Sequence, residues 1–457
     1  MKKHIYFILT ILSAGVLMGC GEFLDERPSK SIVVPNTIED LQALLENSSY
    51  MNNGISLGIV MGDDMFTTEE GWLGYHQDWE RDAYLRKKDL SDVRGQLASW
   101  SFPYTCIFYC NVILENQAKL TASSLSMDGE LGKVKGAALF FRANAFLELS
   151  QFFAGPLNSP ADFQKPGIPI KLTSNVNEKV GRGSIGNTYQ RIVSDLKAAA
   201  ELLPPTQPYP TQPTKAAAYG LLARVYLILG DFEAALDYAE QSLSLKGNLL
   251  SYSSLPAFNN LPLEQWLYPI PQFNEEVVFH SQMGAQSYTS STFSFVDSTL
   301  YNSYEEGDLR KNYFFFEEGP AKALFRGSYT GTFQFFSGLA TDELYLIKAE
   351  SLARMGEEEE AIQTLNDLLV TRYVPGTFSA YEVGNIDVLS VILKERRKEL
   401  VFRGYLRWAD LRRLSYEGLL EGQLVREVGG EVLNFEIFPD NFKVEIPQSE
   451  QQLNENL

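Results

Sequence analysis

Two regions of the chain repeat one pattern of helix, glycine and helix. Each predicted pair consists of two apolar helical runs that meet at a glycine-containing junction, Gly230-Asp231 in the first and Gly356 in the second. The predicted pairs are Lys215–Leu229 with Phe232–Leu245 and Asp342–Met355 with Glu357–Arg372. Small residues let the two helices of a pair approach closely, and large residues fill the space between them. The pattern predicts a fold built from antiparallel helical pairs.

The small and large residues of both pairs stand at the offsets of a tetratricopeptide repeat. They are Leu222, Ala223, Tyr226, Gly230, Phe232, Ala235, Leu236 and Ala239 in the first pair, and Ala349, Leu352, Gly356, Ala361, Ile362 and Leu365 in the second. Ala143 and Phe146 indicate a further first helix upstream. The spacing between these units is irregular, which excludes a tandem solenoid and predicts pairs separated by long insertions.

The stretch 246–340 differs from the helical parts, because Gly, Pro, Ser, Asn and aromatic residues dominate it. Short β-like runs occur here and near the C-terminus, at Glu276–Met283, Ala323–Phe325, Thr332–Phe336, Glu431–Phe438 and Lys443–Ile446. We therefore predict a mainly α protein, with tetratricopeptide-like helical pairs forming a scaffold and an inserted irregular lobe containing short β-strands. The predicted divisions are a signal peptide (1–19), an N-terminal helical scaffold (20–245) with an aromatic loop (47–88), the lobe (246–340), the continued scaffold (341–414) and a C-terminal segment packing with the lobe (415–457).

The N-terminus has the features of an export signal. Lys2 and Lys3 precede an apolar run over 5–16 that is too short to span a bilayer. The sequence Leu17-Met18-Gly19-Cys20 then predicts lipidation of Cys20 as the first residue of the mature chain. The alternative is an ordinary secretory signal with a chance cysteine. Lipidation would anchor the protein to a membrane without spanning it.

A basic stretch from Val391 to Leu414 contains eight Lys and Arg residues against three acidic ones, inside a chain of formal net charge −19. A basic helix alone would also suit nucleic acid or anionic lipid. Loss of Lys2 and Lys3 makes the mature chain more acidic still, which excludes general electrostatic binding to nucleic acid. We predict one structural helix whose arginines bind carboxylates of other segments.

The chain has no recognisable catalytic or metal-binding motif. Cys106 and Cys110 lie four apart in a predicted helix, a poor geometry for a disulfide, and we expect buried thiols. Two histidines, His76 and His280, are far apart in the mature sequence. The adjacent Asp63 and Asp64 could contribute to a calcium site, although such pairs more commonly form turns. We therefore predict neither a cofactor nor a metal.

Several motifs in this order resemble the SusD/RagB family of surface lipoproteins. They include Phe23-Leu24-Asp25 after Cys20, the run from Arg182 to Pro204, Asn274-Glu275-Glu276, and Tyr301, Tyr304, Asp308 and Arg310. The family's signature helix is matched by Glu395, Arg396, Glu399, Leu400, Gly404, Arg407, Trp408, Asp410, Leu411 and Arg413, and its terminal motif by Ile446-Pro447 and Asn454. Arg403 departs from the pattern, since the family commonly has Glu there.

The resemblance implies about four tetratricopeptide-like helical pairs carrying an irregular lobe. It implies a surface-exposed, lipid-anchored protein of the outer membrane that is not an enzyme. The expected ligands are oligosaccharides or other large nutrients, and the expected partner is a SusC-like, TonB-dependent outer-membrane barrel.

A glycan site needs flat apolar faces and a few polar groups at its rim. We predict that Trp72, Tyr75 and Trp79 form the platform, because they cluster in the stretch 47–88. A second candidate is the region Tyr288–Tyr304, which includes Phe293, Phe295, Tyr301 and Tyr304. Trp266 and Tyr268 are expected to lie mostly in the core, as is Trp408. The predicted ligand-binding residues are thus Trp72, Tyr75, Trp79, Tyr301 and Tyr304.

Three functions compete for this sequence. The first is a nutrient-binding lipoprotein that works with a transporter barrel, and the second is a structural tetratricopeptide lipoprotein that assembles envelope complexes. The third, a glycoside hydrolase, requires two carboxylates across a cleft, and no pair of acids is singled out here. The irregular aromatic lobe favours the first. The strongly acidic chain favours a neutral glycan, because it would repel polyanions.

Overall fold

The computed structural model describes residues 35–457, apart from 93, 124–127, 158, 259–261, 320–321 and 421. The predicted signal peptide, Cys20 and the Phe23-Leu24-Asp25 motif lie outside the described residues. The long helices are α1 (Ile38–Leu45), α6 (Ala98–Ser123), α7 (Asp128–Phe153), α8 (Ile185–Leu202), α9 (Lys215–Leu229), α10 (Phe232–Leu245), α15 (Thr341–Met355), α16 (Glu358–Leu369), α17 (Val388–Glu399) and α18 (Leu406–Tyr416). The short ones are α2 (Ser48–Met51), α3 (Leu57–Met61), α4 (Glu69–Leu73), α5 (Asp78–Tyr84), α11 (Leu263–Leu267), α12 (Ser287–Ser290), α13 (Ser298–Asn302), α14 (Leu309–Phe314) and α19 (Gln448–Leu453).

Eight of the long helices form a row in which each packs against the next one along the chain. The packed neighbours run from α6 through α7, α8, α9, α10, α15 and α16, and α17 closes the row against α15 and α16. About 52% of the described residues are helical, and the predicted fold class is confirmed. The domain borders drawn from the sequence stay a prediction.

Local capping explains where several helices begin and end, although α16 ends at Leu369, three residues before the predicted Arg372. Thr37 accepts a hydrogen bond from the Asp40 backbone N–H at 3.1 Å, and the Asp40 carboxylate accepts from the Thr37 backbone in return. Gly230 and Gly356 end α9 and α15 in the left-handed conformation, with φ of 73° and 89°. The predicted bounds of α9 and α10 match the structure residue for residue.

The described residues form six two-stranded sheets, some within the lobe and some outside it. The strands are β1 (Asn53–Gly54), β2 (Met65–Thr67), β3 (Pro166–Pro169), β4 (Arg182–Ser184), β5 (Val277–Phe279), β6 (Gln282–Met283), β7 (Ser294–Val296), β8 (Phe315–Gly319), β9 (Lys322–Phe325), β10 (Leu339–Ala340), β11 (Gln423–Val428) and β12 (Glu431–Glu436). The pairs are β1–β6 (parallel) and the antiparallel β2–β7, β3–β4, β5–β10, β8–β9 and β11–β12. Two of these pairs, β1–β6 and β2–β7, fasten the N-terminal stretch 53–67 to the lobe.

Two predicted strands are wrong. The run 332–336 forms only an isolated bridge, between Phe336 and Gln282. The run 443–446 is extended but has no strand partner, and the Val444 backbone N–H instead donates to the Phe152 carbonyl at 2.7 Å. In both runs apolar and polar residues alternate as in a strand. Their backbone groups nevertheless form hydrogen bonds with loops or helix ends, and no regular sheet results.

The stretch 47–88 is not the irregular loop that the sequence predicted. It contains the four short helices α2 to α5, with Trp72 on α4 and Trp79 on α5. Thr68 caps α4 by accepting from the Gly71 N–H, and the Glu80 carboxylate closes the first turn of α5 by accepting from Gln77. These two caps, nine residues apart, begin two separate short helices within the segment.

The basic stretch is two helices, so the single predicted helix is wrong. Helix α17 ends at Glu399 and α18 begins at Leu406, and between them Phe402 and Gly404 have positive φ of 55° and 52°. A continuous helix cannot pass through that conformation. Across the break, arginines of the two helices share acceptors: Arg396 and Arg413 both bind Asp410.

The structural role predicted for these arginines is evident from their contacts. Asp410 accepts from Arg396 and from Arg413, each at 2.9 Å, and Arg413 also binds the buried Glu350. Arg412 donates to the carbonyls of Gln151, Ala154 and Gly155, which lie at or just beyond the C-terminal end of α7. The basic stretch therefore joins α7, α15 and the C-terminal segment from inside the protein.

Candidate functional site

Tyr75 and Trp79 are buried, with 2% and 9% of their surfaces exposed. Both pack edge-on against Tyr288, with ring centroids 6.2 and 6.3 Å apart. Burial raises the pKa of Tyr75 to about 12. The expectation that these two rings present an open platform is corrected: they join the N-terminal stretch to the lobe.

The other three predicted ligand contacts are also engaged within the protein. Trp72 is half-buried, and its Nε1 donates to the Arg81 carbonyl at 3.1 Å. Tyr304 is buried, with its hydroxyl donating to the Lys398 carbonyl at 2.7 Å, and the half-buried Tyr301 donates to Glu317. Tyr304 therefore offers no open face. The role of Trp72, Tyr75, Trp79, Tyr301 and Tyr304 in ligand binding stays a prediction.

An open cavity with exposed aromatic faces lies immediately in front of these residues. This aromatic pocket has a volume of about 200 Å³. It is lined by Ile59, Met65, Trp266, Leu267, Tyr268, Tyr288, Thr289, Ser290, Ser291, Thr292, Ser294, Phe316, Leu324, Phe325, Arg326, Phe333, Phe335 and Phe402. Trp266 and Phe316 meet edge to face at 5.0 Å, and Phe333 is 49% exposed. These rings are the flat apolar surfaces that a sugar ring requires.

One wall of the aromatic pocket is rich in hydroxyl groups. It is formed by α12, the turn after it and the start of β7, which contribute Thr289, Ser290, Ser291, Thr292 and Ser294. The Tyr288 hydroxyl behind this wall is hydrogen-bonded to that of Ser56 at 2.7 Å. The wall is thus held from behind by the buried cluster that contains Tyr75 and Trp79.

The opposite wall of the pocket, which includes Phe316 on β8, is also packed against buried aromatic residues. Tyr301 and Tyr304 pack edge-on against Phe315, at 5.5 and 5.3 Å, and Phe315 precedes Phe316 on β8. Successive residues of a strand point to opposite sides, so Phe315 faces the core while Phe316 faces the pocket. Most of the residues predicted as contacts thus form the layer behind the pocket.

Trp266 and Tyr268 were expected in the core, but they are half-buried and line the pocket. Their segment, 262–271, begins and ends with prolines and carries the exposed Leu263 and Leu267. In the sequence, two leucines beside a tryptophan in a short segment bounded by prolines are the signal that could have identified this wall.

Arg326 is the charged side chain of the pocket lining. Its guanidinium lies over the rings of Phe258 and Trp266, at 4.3 and 5.1 Å from their centroids. It donates to the carbonyls of Trp266 (3.1 Å) and Asn312 (2.7 Å). Burial lowers the pKa of Arg326 to about 10, which leaves it protonated at neutral pH.

Asp63 and Asp64 bind arginines of the basic stretch. Arg407 makes two hydrogen bonds to Asp63, at 2.7 and 2.6 Å, and Arg397 donates to Asp64 at 2.8 Å. Although burial opposes its ionisation, Arg407 and Arg397 hold the pKa of Asp63 well below its usual range. Across the described part of the chain, no group of three or more His, Cys, Asp or Glu residues is placed to hold a metal ion.

A larger groove of about 600 Å³ lies between α6, the loop 169–179 and the C-terminal residues. Its aromatic residues Trp100, Tyr104 and Phe108 are buried or half-buried, and Tyr104 donates to the Pro169 carbonyl. The aromatic rings of this larger groove are largely covered or hydrogen-bonded within the protein. The aromatic pocket, where Phe333 is exposed, is therefore the stronger candidate for sugar binding.

Family models match both ends of the chain. One described as "Starch-binding associating with outer membrane" matches residues 22–227, and one described as "SusD family" matches residues 341–456. A tetratricopeptide-repeat model matches residues 216–249, which confirms the repeat predicted for α9 and α10. Within the described residues, no helix combines the length and the apolarity needed to cross a membrane.

Known proteins resemble the chain over almost its whole length. SusD-like protein P2 of Formosa agariphila is 23% identical over 91% of each chain. A putative sugar binding protein from Bacteroides vulgatus superposes with a TM-score of 0.73 and 21% identity, covering 93% of this chain and 98% of that one. A SusD superfamily protein from Bacteroides thetaiotaomicron gives a TM-score of 0.71 with 21% identity, covering 92% and 98%. The overall fold is shared with these structures.

Proposed function

The chain belongs to the SusD/RagB family, and we propose that it binds a glycan in the aromatic pocket. The observation that carries the proposal is the set of partly exposed rings, Trp266, Phe316 and Phe333, which line one cavity together with serine and threonine residues. Aromatic faces cover the apolar sides of sugar rings, and hydroxyls exchange hydrogen bonds with the sugar's own. Similarity to proteins described as sugar or carbohydrate binding supports this function.

The same proposal assigns the protein a cellular position and a partner. Cys20 would carry the lipid anchor that holds it at the surface of the outer membrane, and the glycan would pass to a SusC-like, TonB-dependent barrel beneath it. Support comes from the family description, which refers to the outer membrane, and from the lipobox before Cys20.

A binding protein suits the pocket better than a hydrolase does. Glycoside hydrolysis needs two carboxylates that flank the scissile bond. The lining of the aromatic pocket includes no Asp or Glu among the described residues. The competing role, a purely structural envelope lipoprotein, gives no reason for open aromatic rings such as Phe333 and is less well supported.

Phe333→Ala is expected to weaken glycan binding at least about tenfold, equivalent to about 1.4 kcal/mol. The exposed ring supplies stacking surface and carries little of the core, so the variant should fold. The measurement is isothermal titration of the protein lacking residues 1–20 with the best-bound oligosaccharide from a glycan array.

The matched control is Trp79→Ala, which removes a ring from the layer behind the pocket. It should lower the free energy of unfolding by about 3 kcal/mol, as expected for a buried tryptophan, while affinity per folded molecule changes less than in Phe333→Ala. Unchanged affinity in Phe333→Ala combined with lost affinity in well-folded Trp79→Ala would contradict the pocket and restore the platform predicted from the sequence.

A further inference from the structure

We propose that Arg326 makes the aromatic pocket selective for glycans that carry an anionic substituent, a carboxylate or a sulfate ester. This inference rests on the proposed glycan binding and adds the substrate class. It differs from the expectation of a neutral glycan, which considered only the charge of the whole chain.

The charge of the pocket lining is opposite to that of the protein. The chain has 58 acidic and 39 basic residues, yet the lining contains Arg326 and no acid among its described members. Three acids lie on the same elements, Glu264 on α11 and Glu317 and Glu318 on β8, and none of them is part of the lining. Glu318 is on the same side of β8 as Phe316, and its side chain is exposed. Glu317 accepts from Tyr301 and alternates with Phe316 along the strand, so it is directed away from the pocket. A ligand in the pocket therefore meets positive charge at short range.

Arg326 has no carboxylate partner among the described residues, unlike the arginines that join the scaffold to the lobe. Arg310 binds Asp308, Glu395 and Glu399, and Arg372 binds Glu276 and Glu399. By contrast, Arg326 meets only two carbonyls and two rings, and its Nε is buried without a hydrogen-bond partner. A half-buried guanidinium without a counter-ion is stabilised by an anion brought beside it.

The orientation of Arg326 is fixed before a ligand arrives. Stacking on Phe258 and Trp266 holds the guanidinium plane, and the carbonyls of Trp266 and Asn312 each take one Nη hydrogen. Of its five N–H donors, the Nε–H is buried without a partner, and one hydrogen on each Nη stays available to a ligand. Little side-chain entropy is lost on binding, and planar donors of this kind suit carboxylate and sulfate oxygens.

The long-range field sets a limit on this selectivity. The acidic chain repels a densely charged polyanion at distances up to the Debye length, about 8 Å at physiological salt. A single anionic group on an otherwise neutral oligosaccharide is repelled only weakly by the acidic chain, and in the pocket it contacts Arg326 directly. The expected ligand thus carries sparse anionic substituents.

The test is an array of neutral, uronate-containing and sulfated oligosaccharides, followed by titration of matched pairs. Each acidic oligosaccharide that binds is compared with its own methyl ester or desulfated form, which has the same backbone. The wild-type protein should bind the acidic member at least tenfold more tightly. In Arg326→Gln this ratio should fall close to one, and in Arg326→Lys it should be intermediate, since lysine keeps the charge but loses the fork.

Measuring a ratio within one protein sample removes any effect of partial unfolding. Phe333→Ala serves as the control, because it should weaken both members of a pair and keep their ratio. If the protein prefers the acidic member of the methyl-ester pairs, the anion is a carboxylate. If it prefers the sulfated member of the desulfated pairs, the anion is a sulfate ester. Binding to neutral members with no acidic preference would overturn this inference and leave the proposed function standing. Failure of every class to bind would overturn both.

Discussion

Arg372→Met is expected to lower the free energy of unfolding by about 3–5 kcal/mol. Arg372 is fully buried, and its guanidinium donates to Glu399 and Glu276, each at 2.8 Å, and to the Leu250 carbonyl at 2.7 Å. Methionine would fill the volume but leave two buried carboxylates without this cation. Chemical denaturation followed by far-UV circular dichroism measures the loss.

Arg191→Met is the matched control for this change. Arg191 has a 35% exposed side chain and pairs with Asp195, which Arg142 already holds through two hydrogen bonds. Its loss should cost less than about 1 kcal/mol. Equal losses in the two variants would show that the buried cluster contributes no more than a surface ion pair.

The cluster around Arg372 connects the pocket to the scaffold. Glu276 and the pair Asp308–Arg310 come from the lobe, whereas Arg372, Glu395 and Glu399 come from the ends of α16 and α17. The buried Arg403 binds Asp342 and lies 3.8 Å from the centre of the Tyr329 ring. Thus Arg403, which departs from the family pattern, still makes a buried ion pair. The position of the lobe relative to the helices depends on these charges.

Local sequence signals predicted the helical scaffold well. The ends of α9 and α10 follow from Thr214 and Asp231 as N-caps and from Gly230, whose positive φ ends the first helix. These signals act within a few residues, so they can be recognised without knowing the rest of the fold. The break between α17 and α18 was also local, at Gly404, but the strong charge pattern on both sides concealed it.

The pocket was harder to predict, because exposure depends on which distant segments meet. Trp79 is buried by Tyr288, more than 200 residues away along the chain, and the two come together through the pairing of β2 with β7. Nothing near Trp79 indicates that contact. Trp266 escapes burial for the same kind of reason, since α11 packs at the edge of the lobe with Leu263 71% exposed.

The stability of the wild-type protein is expected to fall as pH rises from about 5 to 8, and Glu276→Gln should remove part of that slope. Burial raises the pKa of Glu276 to about 7, opposed by Arg372 and reinforced by the neighbouring Asp342 and Glu399. Between the unfolded value of 4.5 and the folded value, the native state holds the extra proton. Stability is therefore full below the unfolded pKa and decreases by up to about 3 kcal/mol as pH rises through the folded pKa.

The contacts of Glu276 explain why glutamine can stand in for the protonated acid. Glu276 accepts from the Leu250 N–H at 2.8 Å, from Arg372, and from the Tyr329 hydroxyl at 2.5 Å, and that hydroxyl also lies 3.1 Å from Asp342. One tyrosine proton cannot serve both carboxylates at once. A proton on Glu276, or the side-chain amide N–H that the Glu276→Gln variant carries there, can donate to the Tyr329 oxygen and free the tyrosine to donate to Asp342.

The variant Glu148→Gln separates the pH dependence caused by Glu276 from the pH dependence caused by a second buried acid, Glu148. Burial also raises the pKa of Glu148 to about 7, and this carboxylate accepts from the Ile55 N–H at 3.0 Å, away from the Arg372 cluster. Unfolding free energies of the wild type, both single variants and the double variant, measured at pH 5, 6, 7 and 8, should show additive loss of slope. Glu399, whose pKa is about 2 because Arg372 and Arg310 overcome its burial, loses its contribution only in acid and adds no slope in this window. A Glu276→Gln slope equal to that of the wild type would mean that Glu276 is ionised throughout and that any proton of the cluster is held by another acid, such as Asp342, whose pKa is also raised by burial.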